Sequence, residues 1–312
     1  MLNTLYIRCR ATKMELTSLH LLLTYRCDSE CDHCFVWGGP KQEGTLTIKG
    51  LREILRQGKS LKTVKSIFFE GGEPLLYYPI LLKGARMATD MGFDVGLVSN
   101  GYWATSVEDA VEWLRPLAGL VDGISVSTDL FHCNEKLSRQ AKNARSAAKK
   151  LGIPIGFLQI AQPEETKIAT NVGQLPPGWS GVMFRGRAAV KLVDRVPQRD
   201  WRHFTSCPYE NLRNPGRVHI DPLGNLHLCQ GISIGNLFKT PLRKLAKDYD
   251  PNTHPITGPL LKGGPVRLAK QYGLPHEKEY ADACHMCYET RLALRKRFPG
   301  ILTPGQMYGI PG

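Results

Sequence analysis

Short apolar runs alternate with helical patterns along much of the chain. The runs are four to seven residues long, rich in Ile, Val, Leu or Phe, and hydrophobic without strict alternation. This pattern is typical of strands that are buried on both faces of a parallel sheet. Six such strands are predicted, at residues 19–25, 66–69, 94–99, 123–127, 154–160 and 181–184.

Helical periodicity occupies the segments between these strands. The clearest helix is predicted at residues 134–151, with its apolar residues on one stripe and Gly152 as its C-terminal stop. Another is predicted at residues 47–57. Repeated β–α units imply a parallel sheet with right-handed crossovers, as either an open barrel or a doubly wound sheet. In both architectures ligands bind at the carboxyl ends of the strands.

The pattern changes after about Val196. Two short runs, 217–222 and 226–230, flank the turn residues 223–225 and predict a β-hairpin. A stretch rich in Pro and Gly follows, and a last helix is predicted at 288–297. These features predict a second, smaller module.

Composition and charge narrow the class of protein. With 42% hydrophobic and 22% charged residues, the chain has the composition of a folded globular protein. The net charge of +13 would suit nucleic acid, an anionic substrate or an acidic redox partner. Its Lys and Arg residues are scattered, however, which favours solvated helix faces. Since no apolar stretch approaches the roughly 20 residues that span a bilayer, we expect no membrane insertion and a cytoplasmic location.

The nine cysteines point to metal chemistry. Cys27, Cys31 and Cys34 follow the first predicted strand, and soft thiolates of this kind bind zinc or an iron–sulfur cluster. A structural zinc site is closed by four ligands, whereas three thiolates on a [4Fe–4S] cluster leave one iron open. A zinc site completed by His33 is the alternative.

The spacing Cys27-x3-Cys31-x2-Cys34 resembles the signature of the radical S-adenosylmethionine superfamily. The resemblance implies that the open iron binds S-adenosylmethionine, and that one electron from the reduced cluster yields a 5′-deoxyadenosyl radical that abstracts hydrogen from a substrate. The reaction needs the low end of the cluster potential range of about −700 to +450 mV. A low-potential electron donor such as flavodoxin or ferredoxin is therefore implied. Where the family often has an aromatic residue before the third cysteine, this chain has His33.

Two further segments follow the second and third predicted strands and also match the family pattern. Residues 71–74, Gly-Gly-Glu-Pro, resemble the GGE motif, in which glycines allow close backbone approach to a ligand. The carboxylate of Glu73 is expected to contact the cofactor's ammonium group. Residues 99–101, Ser-Asn-Gly, resemble the TNG-type segment.

Two more matches follow the fourth and sixth predicted strands. Residues 125–129 resemble the ribose-contacting segment, with Ser127 and Asp129 as the expected hydroxyl contacts. Residues 185–188 could place a guanidinium near the cofactor carboxylate. The predicted cofactor-binding residues are Gly71, Gly72, Glu73, Pro74, Ser99, Asn100, Ser127, Asp129, Arg185 and Arg187.

A second group of cysteines lies in the C-terminal module and resembles the SPASM/twitch modules of the same family. Its members are Cys207, Cys229, Cys284 and Cys287. The complete SPASM version carries seven cysteines and two clusters, so four imply a twitch-type module with one auxiliary [4Fe–4S] cluster. That cluster could take up the electron left after hydrogen abstraction, or it could bind substrate. A structural zinc site with four thiolates is the alternative.

Two residues near the expected active-site mouth are catalytic candidates. These are His132 and Cys133, although a hydrogen-bonded histidine and a small buried thiol are the commoner roles for such residues. Cys9 is interpreted as structural. From these resemblances we predict an α/β fold, a partial (β/α)6 TIM-like barrel with a small C-terminal β-hairpin plus helix module. The predicted divisions are an N-terminal segment at 1–15, a radical core at 16–195 and the auxiliary module at 196–312.

The sequence therefore predicts a radical enzyme that acts on a small molecule or a peptide. One alternative is an electron-transfer protein with two clusters, which would not explain the three-ligand site or the Gly-Gly-Glu-Pro segment. Another is a zinc-dependent nucleic-acid-binding protein, but the chain lacks the interleaved basic and aromatic residues of such surfaces.

Overall fold

A computed structural model of the chain describes residues 14–132, 138–165 and 181–310. Cys9, Cys133 and the beginning of the helix predicted at 134–151 lie outside these ranges, as does nearly all of the N-terminal segment. Within them, no helix combines the length and apolar character needed to cross a lipid bilayer.

The described residues contain ten strands and eight α-helices. The strands are β1 Ser18–Leu22, β2 Ser66–Glu70, β3 Asp94–Ser99, β4 Gly123–Ser127, β5 Ile155–Leu158, β6 Arg199–Asp200, β7 Arg217–Ile220, β8 Asn225–Cys229, β9 Ile232–Asn236 and β10 Glu279–Tyr280. The helices are α1 Ile48–Ser60, α2 Tyr78–Asp90, α3 Val107–Leu114, α4 Arg139–Leu151, α5 Ala188–Lys191, α6 Leu242–Asp248, α7 Thr257–Tyr272 and α8 Ala283–Leu294. Helix α7 is interrupted by non-helical backbone at Gly263 and Gly264.

Eight of the strands form one sheet in the order β5-β4-β3-β2-β1-β7-β8-β9. The neighbouring pairs β5–β4, β4–β3, β3–β2, β2–β1 and β1–β7 are parallel. The pairs β7–β8 and β8–β9 are antiparallel. The α/β class with a parallel core is therefore confirmed, and the sheet is open rather than closed among the described residues. The predicted hairpin at 217–230 is confirmed as β7–β8, and β7 pairs directly with β1.

Local sequence signals explain where the core helices begin and end. Thr47 caps α1 by accepting a hydrogen bond from the amide of Gly50, and Ser138 caps α4 in the same way through Ala141. Gly152 ends α4 in the left-handed conformation, as predicted. The α1 and α4 faces that point inward are buried against the sheet, which places the apolar core between helices and strands.

The prediction of a sixth strand at residues 181–184 is wrong. Residues 181–184 are described but belong to no strand. The amide of Arg185 donates a hydrogen bond to the carbonyl of Met183 at 2.7 Å. The backbone therefore turns here and does not pair with a neighbouring strand. Val182 and Phe184 pack with Ala188 in a cluster apart from the main core. Burial of their side chains, rather than strand pairing, explains the apolar run.

The last helix begins earlier than predicted. Helix α8 starts at Ala283 because Asp282 caps it, accepting a hydrogen bond of 2.7 Å from the amide of His285. Cys284 and Cys287 therefore lie in the first turns of α8 rather than before it.

Candidate functional site

A cleft of about 330 Å³ opens at the carboxyl ends of the parallel strands. Cys27, Cys31 and Cys34 line it together. Other predicted residues in its wall are Gly71, Gly72, Ser99, Asn100, Ser127, Asp129, His132 and Arg185. Segments from the ends of four strands thus meet at the thiols, as the parallel architecture predicts.

The loop that carries the three thiols is braced by Arg187. Its guanidinium donates hydrogen bonds to the carbonyls of Cys31 at 2.8 Å and Gly38 at 2.7 Å, and it lies over the Trp37 ring at 5.4 Å. Arg187 does not line the cleft. Its contacts in this structure are to the cysteine loop itself.

Gly186 allows this loop to approach the segment after residue 184. Its φ is +61°, and a Cβ atom there would lie 2.6 Å from the carbonyl oxygen of Cys34. Gly72 is similarly close to the chain, since a Cβ would lie 2.1 Å from the carbonyl oxygen of Arg26. Only glycine fits such contacts without a backbone shift.

Burial disfavours ionised thiols at this site. It raises the pKa of Cys27 far above the ordinary thiol range and also raises the pKa of Cys34. A bound metal supplies the positive charge that stabilises thiolates in such surroundings. The donor set and the cleft beside it therefore fit an iron–sulfur cluster.

Glu73 lies behind the cleft wall. Its side chain is fully buried, accepting hydrogen bonds from the amides of Leu75 at 3.0 Å and Asn100 at 2.8 Å and from the hydroxyl of Ser99 at 3.0 Å. Burial, the largest influence, raises the pKa of Glu73 to about 7. In this structure the carboxylate ties the segment after β2 to the end of β3, and Pro74 beside it is buried as well.

Asp129 is engaged by its own loop. It accepts hydrogen bonds from the amides of Phe131 at 3.0 Å and Ile160 at 3.2 Å and from the His132 ring at 2.8 Å. Burial opposes a charged His132, but the bonds to Asp129 and Cys31 outweigh it and raise the pKa of His132 to about 10. The His132 ring therefore lies against both the Asp129 carboxylate and the Cys31 thiol.

His33 lies beside Asp129 and His132 and forms a set of possible ligands with them, not with the thiols. Its ring lies 4.6 Å from that of Phe131 and 5.2 Å from that of His132, and burial lowers the pKa of His33 to about 4. Among the described residues, His33, Asp129 and His132 bring ligand atoms within 4.8 Å of one another, and no cysteine is part of this set.

The four C-terminal cysteines meet at a second, enclosed cavity, which Cys207, Cys229, Cys284 and Cys287 line together. Burial raises the pKa of Cys207 to about 12 and raises the pKa values of the two cysteines on α8. Two buried arginines also line this cavity, Arg185 and Arg291.

A single zinc ion would hold its thiolate ligands close together. Zinc–thiolate bonds of about 2.3 Å would draw tetrahedral sulfurs to within about 4 Å of one another. Within the described ranges, two sets of side chains bring three ligand atoms within 4.8 Å, and both are His–carboxylate–His sets. Among the described residues, neither group of thiols forms such a set.

Sequence reasoning missed one of these His–carboxylate–His sets, formed by His20, Glu70 and His219. Glu70 and His219 line the cleft floor, and His20 hydrogen-bonds to Glu70. His20 and His219 are polar residues within the mainly apolar strands β1 and β7, and Glu70 is the last residue of β2. That departure from an apolar run is the signal that could have found them.

The chain matches the family profile described as the radical SAM superfamily over residues 21–166. It is 28% identical over 199 residues to YydG of Bacillus subtilis (strain 168), whose name assigns it provisionally to peptide biosynthesis; the match covers 62% of each chain. It is 27% identical over 197 residues to an S-adenosylmethionine-dependent nucleotide dehydratase of Fibrobacter sp. (strain UWH6), covering 60% of this chain and 55% of the relative. The matches thus span less than two thirds of both relatives.

Solved structures resemble the fold over most of the chain. Native anSMEcpe with bound AdoMet superposes with a TM-score of 0.51 at 12% identity, covering 91% of this chain and 97% of that one. The same protein with bound AdoMet and the Cp18Cys peptide gives 0.50 at 12% identity with the same coverage. At this identity the likeness concerns the fold alone.

Proposed function

The chain belongs to the radical S-adenosylmethionine superfamily and is an enzyme of that family, and we propose that it oxidises or forms a bond in a peptide or small-molecule substrate by hydrogen abstraction. The family implies a [4Fe–4S] cluster and S-adenosylmethionine. We assign the cluster to Cys27, Cys31 and Cys34. The observation that carries the assignment is that these three thiols, and no fourth among the described residues, line the cleft at the strand ends.

When bound, the reduced cluster and S-adenosylmethionine together supply a 5′-deoxyadenosyl radical that removes a hydrogen atom from the substrate. The chain's own residues position the reactants. Gly71 and Gly72 let the backbone reach the cofactor closely, Ser127 offers a hydroxyl to the ribose, and Asn100 lies at the cleft wall beside Cys27. We retain Ser99, Asp129 and Arg185 as further cofactor contacts, since each lines the same cleft.

We propose an auxiliary [4Fe–4S] cluster on Cys207, Cys229, Cys284 and Cys287. One observation supports it: the four thiols line one enclosed cavity. A net two-electron oxidation needs one electron and one proton to leave the substrate after hydrogen removal. A cluster at these thiols would accept that electron.

The proposed organisation is a radical core at 16–195 and an auxiliary module at 196–312. Relatives named for peptide biosynthesis and nucleotide dehydration support both a peptide and a small molecule as substrate classes. We also propose a low-potential electron donor such as flavodoxin or ferredoxin, and a cytoplasmic location, where reduced thiols persist.

Metal analysis after anaerobic reconstitution tests the proposal. Two [4Fe–4S] clusters correspond to about eight iron and eight sulfide per chain. Dithionite with S-adenosylmethionine should then release 5′-deoxyadenosine, and the triple variant Cys27→Ala, Cys31→Ala, Cys34→Ala should abolish the release.

The outcomes separate the alternatives. Eight iron without 5′-deoxyadenosine would indicate a two-cluster electron-transfer protein. Zinc without visible absorption would indicate a zinc protein and refute radical chemistry. The double variant Cys284→Ala, Cys287→Ala should lose about half of the iron while still releasing 5′-deoxyadenosine, because the two sites are separate.

A further inference from the structure

His20, Glu70 and His219 stand on three adjacent strands. In the parallel registers, His20 on β1 pairs with His219 on β7 and with Phe68 on β2. Glu70 lies two residues beyond Phe68, so all three polar side chains project from the same face of the sheet. Groups carried by paired strands are held more rigidly than groups on loops.

Aromatic contacts fix both imidazole rings. The His20 ring stacks on Phe68 at 4.6 Å, and the His219 ring lies edge-on to Phe35 at 5.6 Å. The two imidazoles are 5.2 Å apart, centroid to centroid, and meet at 61°. Their nitrogens are thereby aimed at a common region that Glu70 also reaches.

The His219 ring lacks an ordinary hydrogen bond among the described residues. Its Nε2 atom is 3.9 Å from Oε2 of Glu70, too far for one. Burial is the largest influence on His219 and lowers its pKa to about 3, so the imidazole is neutral, the form that binds metal. Burial disfavours the charged Glu70, but its bond to His20 prevails and lowers the Glu70 pKa.

Arg185 and Arg217 lie near His219 and would repel a bound cation, but the carboxylate of Glu210 partly neutralises their positive charge. Glu210 accepts a hydrogen bond from Arg185 at 3.0 Å and lies 3.8 Å from Arg217. The positive charge that a dication would meet is therefore reduced. The carboxylate of Glu70 faces the two imidazoles and makes no hydrogen bond to either arginine among the described contacts.

We propose that His20, Glu70 and His219 bind one divalent transition-metal ion on the floor of the cleft. Two imidazoles and one carboxylate are the donor set of catalytic zinc and of non-heme iron(II) sites, and such sites keep coordination positions open. Because Glu70 and His219 line the cleft, those positions face the space beside the cluster thiols. An oxygen or nitrogen donor of a substrate could occupy them. Metal binding would replace the hydrogen bond between His20 and Glu70.

Cobalt(II) is a suitable probe in the holoenzyme. Oxidised [4Fe–4S] clusters are diamagnetic, so high-spin cobalt(II) can be detected by electron paramagnetic resonance without their background. Protein with both clusters in place, freed of loose metal by a chelator, should bind about one cobalt per chain in equilibrium dialysis. Iron and sulfide are measured in the same samples, so that cobalt in an empty thiol site is recognised.

Two variants make the test specific. His219→Ala and the isosteric Glu70→Gln should each weaken cobalt binding by at least about tenfold while leaving iron and sulfide unchanged. His276→Ala is the matched control, because that histidine is exposed, with its ring hydrogen-bonded to the neighbouring Glu277 carbonyl and packed on Trp201, and it lines neither cysteine cavity. It should bind cobalt as the wild type does.

Three results would overturn the proposal. The first is cluster-replete wild type that binds no cobalt, and the second is binding that survives both His219→Ala and Glu70→Gln. The third is binding that is lost in His132→Ala but kept in His219→Ala, which would move the ion to His33, Asp129 and His132. None of these results bears on 5′-deoxyadenosine release, so the metal site and the radical chemistry are judged separately.

Discussion

The guanidinium of Arg185 donates a hydrogen bond of 3.2 Å to the sulfur of Cys229, and the same side chain lines the cleft of Cys27, Cys31 and Cys34. Of the residues described around the two cysteine cavities, Arg185 is the one common to both. Burial opposes its charge, but Cys229 and Glu210 stabilise it, and its pKa is raised. A fixed cation thus lies between the two proposed cluster sites.

Replacing Arg185 should shift the potential of the auxiliary cluster. A positive charge and a hydrogen bond to sulfur stabilise the reduced, more negative state. Arg185→Met should therefore lower the one-electron potential, by about 60 mV if about 1.4 kcal/mol of differential stabilisation is lost. Redox titration followed by electron paramagnetic resonance measures the shift.

Arg202→Met provides the control for that measurement. Arg202 is exposed and paired with Asp200, away from both cavities, so its loss should leave the potential unchanged. An unaltered potential in Arg185→Met with full iron content would mean that the hydrogen bond does not tune the cluster.

Glu73 should control the affinity for S-adenosylmethionine through Asn100. The buried carboxylate accepts the Asn100 amide hydrogen bond, and the Asn100 side chain in turn donates to Asp28 at 2.6 Å beside the cysteine loop. Glu73→Gln replaces one acceptor oxygen by an amide group, which should weaken binding about tenfold, the equivalent of about 1.4 kcal/mol. Equilibrium dialysis of the cluster-replete enzyme tests this, with Glu53→Gln on α1, at a half-buried residue outside both cysteine cavities, as control. Equal affinities would show that Asn100 holds its position without Glu73.

Glu73 should also give the folded protein a measurable pH dependence. Burial raises its pKa from 4.5 to about 7, so between these values the folded state binds more protons than the unfolded state. Stability must therefore fall as pH rises from about 4.5 to about 7 and level off above. The thermal midpoint of the wild type should decline relative to that of Glu73→Gln across this range. A constant difference between the two proteins would contradict the raised pKa.

Gly186→Ala should impair the first cluster site. A Cβ atom at this position would meet the Cys34 carbonyl at 2.6 Å and the Phe35 Cα at 2.7 Å, and its φ of +61° adds roughly 1–2 kcal/mol of strain. Iron content should fall toward that of the auxiliary site alone, and 5′-deoxyadenosine release should fall with it.

Gly152→Ala separates the clash from the backbone strain. Gly152 has a φ of +69° with no atom within 4 Å of a Cβ there, so this variant should lower the thermal midpoint but keep its iron. If both variants lost the same amount of iron, strain alone and not the contact with the Cys34 loop would be responsible.

Several features of the site were predictable because they depend on neighbours in the chain. Spacing alone placed Cys27, Cys31 and Cys34 in one loop, and apolar runs located β1 to β5 to within a few residues. The run at 181–184 misled because burial among side chains and burial in a sheet produce the same apolar composition.

The direction of buried polar groups was not predictable in this way. Glu73 belongs to a motif that resembles a cofactor contact, yet its carboxylate faces Ser99 and the Asn100 amide. Which of two polar partners a buried carboxylate meets depends on how β2 and β3 pack, and local sequence does not contain that information.

The sequence by itself determined that two sets of thiols exist and that the first follows a strand, since covalent spacing and strand periodicity act over a few residues. Only the tertiary structure decided that His20 faces His219, and that Arg185 lies between the two sets. These contacts depend on the pairing of β1 with β7, which brings together segments that are distant in the chain. Such pairing is selected by the packing of the whole sheet and its core, and no local pattern specifies it.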